Sequence, residues 1–317
     1  MNRTFTFLPP LIGGAALLAL IAWFLPSWNF VLAIGLAKGL PVLGLVLLMR
    51  GGLVSFGQGL YYALGGYTVG LASQFWGLKD AAALLAIAAV GAAVVAFVLG
   101  LLLSRYRDIF FAMLTLALSM LLYGILVKTT ELGGTDGFNV HGVTLLGIPL
   151  TGADRINGLV LLLAVCVLGA INLGLFGATA FGRLLSGVRD NEIRVEYLGA
   201  SANRAVLIAS VLAAVMAALG GAMSGIIVGH IDPEMAFWAT SGEFVVIAIL
   251  AGTGGVVAPF VAAVVLEVVR SFAYQYAPNT WQLVLGLIIL ALILFLPQGL
   301  SGLVRRGPRA ANAGEKS

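Results

Sequence analysis

Side chains able to do chemistry are scarce in this chain and gather in a few short strings. The densest is Phe181-Gly182-Arg183-Leu184-Leu185-Ser186-Gly187-Val188-Arg189-Asp190-Asn191-Glu192-Ile193-Arg194-Val195-Glu196-Tyr197-Leu198-Gly199. Its apolar residues Leu184, Leu185, Val188, Val195 and Leu198 recur at helical spacing between charges, the pattern of an amphipathic surface helix. Such a helix either docks on another body or serves as a solvated connector. A second string, Glu131-Leu132-Gly133-Gly134-Thr135-Asp136-Gly137-Phe138, offers bare backbone N–H groups and one carboxylate. It reads as a tight turn or as a place to hold the two ends of an amino acid. A third, Gly51 to Tyr67, sets Ser55, Gln58 and Tyr61 among glycines at the entry to an apolar run. Small residues there admit close helix packing, while a buried amide needs a partner.

Isolated ionisable residues complete the inventory. Glu243 enters an apolar segment ahead of Gly252-Thr253-Gly254-Gly255 and is either a functional group at membrane depth or an interfacial one. Glu267 and Arg270 stand one turn apart and are expected to pair with each other, and Lys38 is expected to snorkel toward an interface. His230 reads as a loop residue, since His141 is the only other histidine. Cys166 is a lone cysteine in an apolar run, expected to be a small buried hydrophobe. No G-x-x-x-x-G-K-[ST] string, Ser/His/Asp arrangement, metal-ligand spacing or Rossmann fingerprint occurs, so neither catalysis nor a cofactor is expected.

The elements that must position these groups are set by composition. Of 317 residues 61% are hydrophobic and 9% charged, and the mean hydropathy is +1.09. That excess of apolar surface belongs in lipid, where spans of about 20 residues must satisfy their own backbone as helices. The expected fold class is therefore an all-α integral membrane protein of about ten spans, some short or discontinuous. The apolar runs place the spans near 7–25, 29–49, 54–75, 81–103, 109–128, 156–177, 204–228, 242–251, 256–274 and 280–298. The first run is too long for a signal-peptide core and is read as a retained span. The expected domain plan is a polytopic transmembrane domain over 1–306 and a short tail over 307–317.

With the N-terminus in the cytoplasm, Arg3, Arg50, Arg105, Arg107, the basic stretch Arg183 to Arg204 and the terminal Arg305, Arg306, Arg309 and Lys316 share one side. Lys79, Lys128, Arg155 and the borderline Arg270 fall on the other. This asymmetry points to both termini inside. It also favours a break at 252–255 over one long helix, because an odd number of spans would carry the terminal basic cluster outside.

The string from Gly182 to Ala200 resembles the cytoplasmic coupling loop of ABC importer permeases of the branched-chain amino-acid family, with Gly182, Arg183, Arg189, Asn191, Glu192, Glu196 and Gly199 matching the motif. The family pattern often has Ala where this chain has Tyr197. Ser55 to Thr68 is similar to that family's S-F/L-G-Q/H-x-x-F/Y-x-x-G-A/G-Y-T signature, and the Glu131 to Phe138 string resembles the T-x-G-G-S/T-D-G motif of its LivM-type subunit. Gly252 to Pro259 is similar to a further G-G-x-G-x-x-x-G-P segment, with Ala258 where the pattern has Gly. The family usually has an apolar residue near Glu243.

The resemblance implies an ATP-powered import subunit, multi-pass in a bacterial inner membrane. Implied partners are a second homologous permease, two cytoplasmic ATP-binding subunits and a periplasmic or lipid-anchored substrate-binding protein. Implied cargo is leucine, isoleucine and valine, with urea, amides or other amino acids as alternatives. Ser55, Gln58, Tyr61, Gly133, Gly134, Thr135, Asp136, Gly137 and Glu243 are the candidates for the translocation path. An ion-driven secondary transporter is the rival. It requires ionisable residues paired near the bilayer midplane, where Lys38, Glu243 and Glu267 look scattered in sequence. A cargo-free scaffold leaves the 182–199 helix unexplained.

Overall fold

The computed structural model describes residues 28–140, 142–145, 147–150, 155–295 and 299. The proposed first span over 7–25, the tail from 307 and His141 lie outside them. Runs of Leu, Ala, Val and Gly form ten helices among the described residues. They are α1 (Asn29–Arg50), α2 (Gln58–Phe75), α3 (Ala81–Leu103), α4 (Asp108–Lys128), α5 (Arg155–Ala178), α6 (Ala180–Tyr197), α7 (Ala202–Val228), α8 (Trp238–Ala251), α9 (Ala258–Tyr276) and α10 (Trp281–Phe295). Six of these, α1, α3, α4, α5, α7 and α9, are long and apolar enough to cross a membrane. The all-α membrane architecture is thus present, and 252–257 separates α8 from α9.

Alpha-helix α1 is the central post. In its most apolar stretch 83% of residues are buried, against 28% in α3 and 22% in α4, which present Val94, Phe97, Val98, Ile109, Met113 and Leu121 outward. Alpha-helix α7 lies along α1 and α2 through small residues. A side chain at Gly65 would strike the Ala218 backbone, and one at Gly221 would strike the Tyr62 backbone. These contacts are the close approach that glycine permits in lipid, where dispersion drives helix association.

The helix ends gather at two poles. At one, α6 meets the C-terminal end of α1 and the turn after α8, where Arg50, Ser186, Arg189, Asp190 and Thr253 line a common notch. At the other, four two-residue strands form two small antiparallel pairs: β1 (Phe138–Asn139) with β4 (His230–Ile231), and β2 (Thr144–Leu145) with β3 (Ile148–Pro149). Segments this short leave no periodic trace in a sequence.

Candidate translocation and coupling sites

Two non-helical segments enter the bundle from opposite poles. The proposed span over 54–75 is helical only from Gln58, because side chains capture the amides before it. Phe56 N donates to Thr115 Oγ1 at 3.1 Å and Gly57 N to Ser55 Oγ at 3.2 Å. Thr115 lies seven residues beyond Asp108, so this break reaches about 10 Å in from the α6 pole. From the other pole a 3-10 turn, Pro233–Ala236, precedes α8, and Ala236 O accepts from Ser119 Oγ at 2.8 Å. Ser119 stands nine residues before Lys128, about 14 Å from that end of α4.

The two breaks are tied together by Gly59 N donating to Ser241 Oγ at 3.0 Å. Helix α8 itself has 14 residues, or about 21 Å, short of a hydrocarbon core of about 30 Å. It begins at Trp238 rather than 242, with the backbone of 233–237 completing the crossing. Irregular backbone at this depth is tolerated only where it is enclosed by protein or lines a cavity. Ser55 and Gln58 are 3% and 1% exposed, and Gln58 Oε1 has no hydrogen-bond partner among the described residues. Tyr61 is buried one turn further along α2.

At mid-span the structure corrects one expectation and extends another. Lys38 does not snorkel: its Nζ lies 3.1 Å from Glu243 Oε1 and 2.9 Å from Glu267 Oε2. Arg270 does pair with Glu267, Nη1 lying 3.7 Å from that carboxylate, and its Nη2 makes a tighter contact with Glu243. Arg270 lies within α9. The ionisable residues therefore form one neutral group of four across α1, α8 and α9. Lys38 sits nine residues from Asn29 and twelve from Arg50, about 13 and 18 Å from the two ends of α1. Charges so deep require mutual pairing. Sequence separations above 200 residues hid the first two contacts.

The glycine string lies elsewhere. Gly133, Gly134 and Gly137 have φ of 87°, 57° and 64°, the left-handed region that only glycine enters freely. A Cβ on Gly137 would collide with the Ile231 backbone, so the turn is pressed against β4. Asp136 Oδ1 accepts from the Thr135 hydroxyl at 3.2 Å. These five residues belong to the strand pole and are not brought together with Ser55, Gln58 and Tyr61. Glu243 is nearer to that trio, two residues beyond the Ser241 that holds Gly59.

A family model for the permease component of the branched-chain amino acid transport system matches residues 28–293. The chain belongs to that family. It is 29% identical to the high-affinity branched-chain amino acid transport system permease protein LivM of Escherichia coli strain K12, over 95% of this chain and 77% of that protein. The LivM protein of Salmonella typhimurium strain LT2 is likewise 29% identical, over 92% of this chain and 74% of its own length. No solved structure matches.

Within this branched-chain permease, the residues of the 182–199 motif turn out to be occupied mainly by the chain itself. Thr179 caps α6 by accepting from Gly182 N, and Arg183 Nη1 donates to Ala178 O at 2.7 Å. The helix breaks at Asn191 (φ −166°, ψ 101°), whose Oδ1 caps the following turn by accepting from Arg194 N. Glu192 is clamped by Arg107, with Nε to Oε2 at 2.9 Å and Nη2 to Oε1 at 2.8 Å. Gly199 ends the segment at φ 80°. Arg189 borders the notch beside Arg50, and Glu196 is exposed.

Beyond the kink three apolar side chains are exposed alongside the charged ones: Ile193, Tyr197 and Leu198 are 67%, 87% and 81% exposed. Ile193 had no part in the helical periodicity and Tyr197 stood out only as a departure. The signal that finds them is their position after a capped kink.

Proposed function

We propose that this chain is the LivM-type subunit of an ABC importer that carries branched-chain amino acids inward, and that its α6 segment receives the stroke of a cytoplasmic ATPase. The carrying observation is the exposed apolar tip Ile193, Tyr197 and Leu198. An apolar cluster of that size at the end of a capped, charged helix marks a protein interface. ATP hydrolysis is assigned to two partner subunits, the second half of the pathway to a homologous permease, and delivery to a binding protein. Both termini are placed in the cytoplasm of a bacterial cell with α6, and the strand pole faces out. Ser55, Gln58, Tyr61 and Glu243 are proposed to border the path, with the unpartnered Gln58 amide as a first contact for substrate polar groups. The glycine turn is assigned to the outer mouth.

The mid-span charge group favours one second reading, an ion-driven transporter, because paired ionisable residues at that depth are what such a machine requires. One experiment separates them. The tagged chain is captured from native membranes in mild detergent and its companions identified by mass spectrometry. Recovery of a second permease and P-loop ATPases, lost on Tyr197→Ser/Leu198→Ser, is the expected result. A chain that purifies alone and transports after reconstitution without ATP would establish the rival.

A further inference from the structure

We propose that α4 is the rod that carries motion of α6 to the two mid-membrane breaks, and that the Arg107–Glu192 clamp is its joint. This rests on α6 being the segment an ATPase moves.

Every guanidinium donor of Arg107 is engaged. Besides the two bonds to Glu192, Nη2 reaches Asn203 Oδ1 at 2.8 Å, and Nη1 reaches Ser104 O at 2.5 Å and Tyr106 O at 2.9 Å. One side chain thus knits the end of α3, the post-kink turn of α6 and the start of α7. A bidentate guanidinium–carboxylate pair fixes angle as well as distance, so displacement of Glu192 is passed on as a directed pull. Arg107 is followed directly by Asp108, the first residue of α4, whose φ of 51° is rare for a non-glycine residue.

Helix α4 suits transmission because it is lightly held. Its buried residues are only Phe111, Thr115, Ser119 and Leu126. Two of these four are the hydroxyls that hold the breaks: Thr115 accepts Phe56 N on the α6 side, and Ser119 donates to Ala236 O on the strand side. A rigid helix spans from joint to hydroxyls, about 12 Å to Thr115 and about 18 Å to Ser119. An axial shift of α4 therefore loads both breaks at once, and with them the Gly59–Ser241 tie. Glu192 acts here as a positioning residue inside the chain rather than as a contact for the partner.

The test uses the assembled complex with its native partners in vesicles, reading substrate taken up per ATP hydrolysed, ATPase rate and subunit recovery. Glu192→Gln removes the charge from the joint, Arg107→Lys keeps the charge but loses the fork, and Thr115→Val cuts the far end. Each is expected to lower uptake per ATP roughly tenfold, within the range of coupling between sites, with assembly and ATPase rate kept. Because both ends lie on one rod, the double variant Glu192→Gln/Thr115→Val is expected to be no worse than either single. Wild-type uptake per ATP in Glu192→Gln or Thr115→Val would overturn the proposal. So would losses that multiply to roughly a hundredfold in the double variant, as for independent sites. Loss of assembly in all variants, Arg107→Lys included, would reassign the joint to folding. Failure of the importer reading shows separately, as an unmodified complex with no ATP-dependent uptake.

Discussion

Lys38→Met removes one charge from the buried group of four, and its cost follows from the distances. At about 3 Å and an effective dielectric near 20, each lysine contact is worth about 5 kcal/mol in gross attraction. Lys38 makes two such contacts, at 3.1 and 2.9 Å. With it gone, Arg270 stays on Glu243, and Glu267 keeps only the 3.7 Å contact to Arg270. The gross loss is offset by the lysine's own desolvation, no longer incurred. The net cost is then that of breaking a buried pair, about 3–5 kcal/mol. At roughly 2 °C per kcal/mol for a chain of this size, the midpoint of thermal unfolding falls by about 6–10 °C. Fluorescence-detected size exclusion after heating in detergent measures it. Lys38→Met/Glu267→Gln restores neutrality and leaves the Glu243–Arg270 pair, so it is expected to recover more than half of the loss. A single variant within about 1 °C of the parent, or a double variant less stable than the single, would refute the view that neutrality of this group matters to the fold.

Ser241→Ala leaves the Gly59 amide buried without its acceptor, and a loss of about 1–3 kcal/mol in detergent unfolding is expected, whereas an unchanged unfolding midpoint would show that the tie between the breaks carries no load. Cysteines placed at Thr135 and at Ser186 in a chain whose own Cys166 is buried are expected to label from opposite faces of the membrane, and labelling of both from one face would overturn the assigned topology.

Much of this architecture could be read from residue order because lipid imposes a simple rule, that about 20 apolar residues make one crossing. The spans follow from it, while the break at 252–255 was read from the charge asymmetry and the amphipathic α6 from helical spacing. What escaped was whatever depends on contacts distant in sequence. Gln58 to Tyr61 showed glycines and polar groups, but not that α2 starts about 10 Å inside the bundle, since the captors of its amides, Thr115 and Ser241, belong to other helices. Lys38 alone in an apolar run looks like a snorkelling lysine until α8 and α9 fold over it. Glu192 looked like a surface charge because its partner Arg107 lies 85 residues earlier. The 182–199 motif was legible as a string, yet several of its residues shape the segment, while the strongly exposed apolar side chains are Ile193, Tyr197 and Leu198.

Two positive and two negative charges at mid-span sum to zero. A single elementary charge moved through the membrane voltage exchanges about 2.3 kcal/mol with the field per 100 mV, so a lone Lys38 riding on α1 would tie the rocking of the helices to cell energisation. Carried as a neutral set, the four residues do no net work against the field. Any movement of this set therefore adds no dependence on membrane voltage.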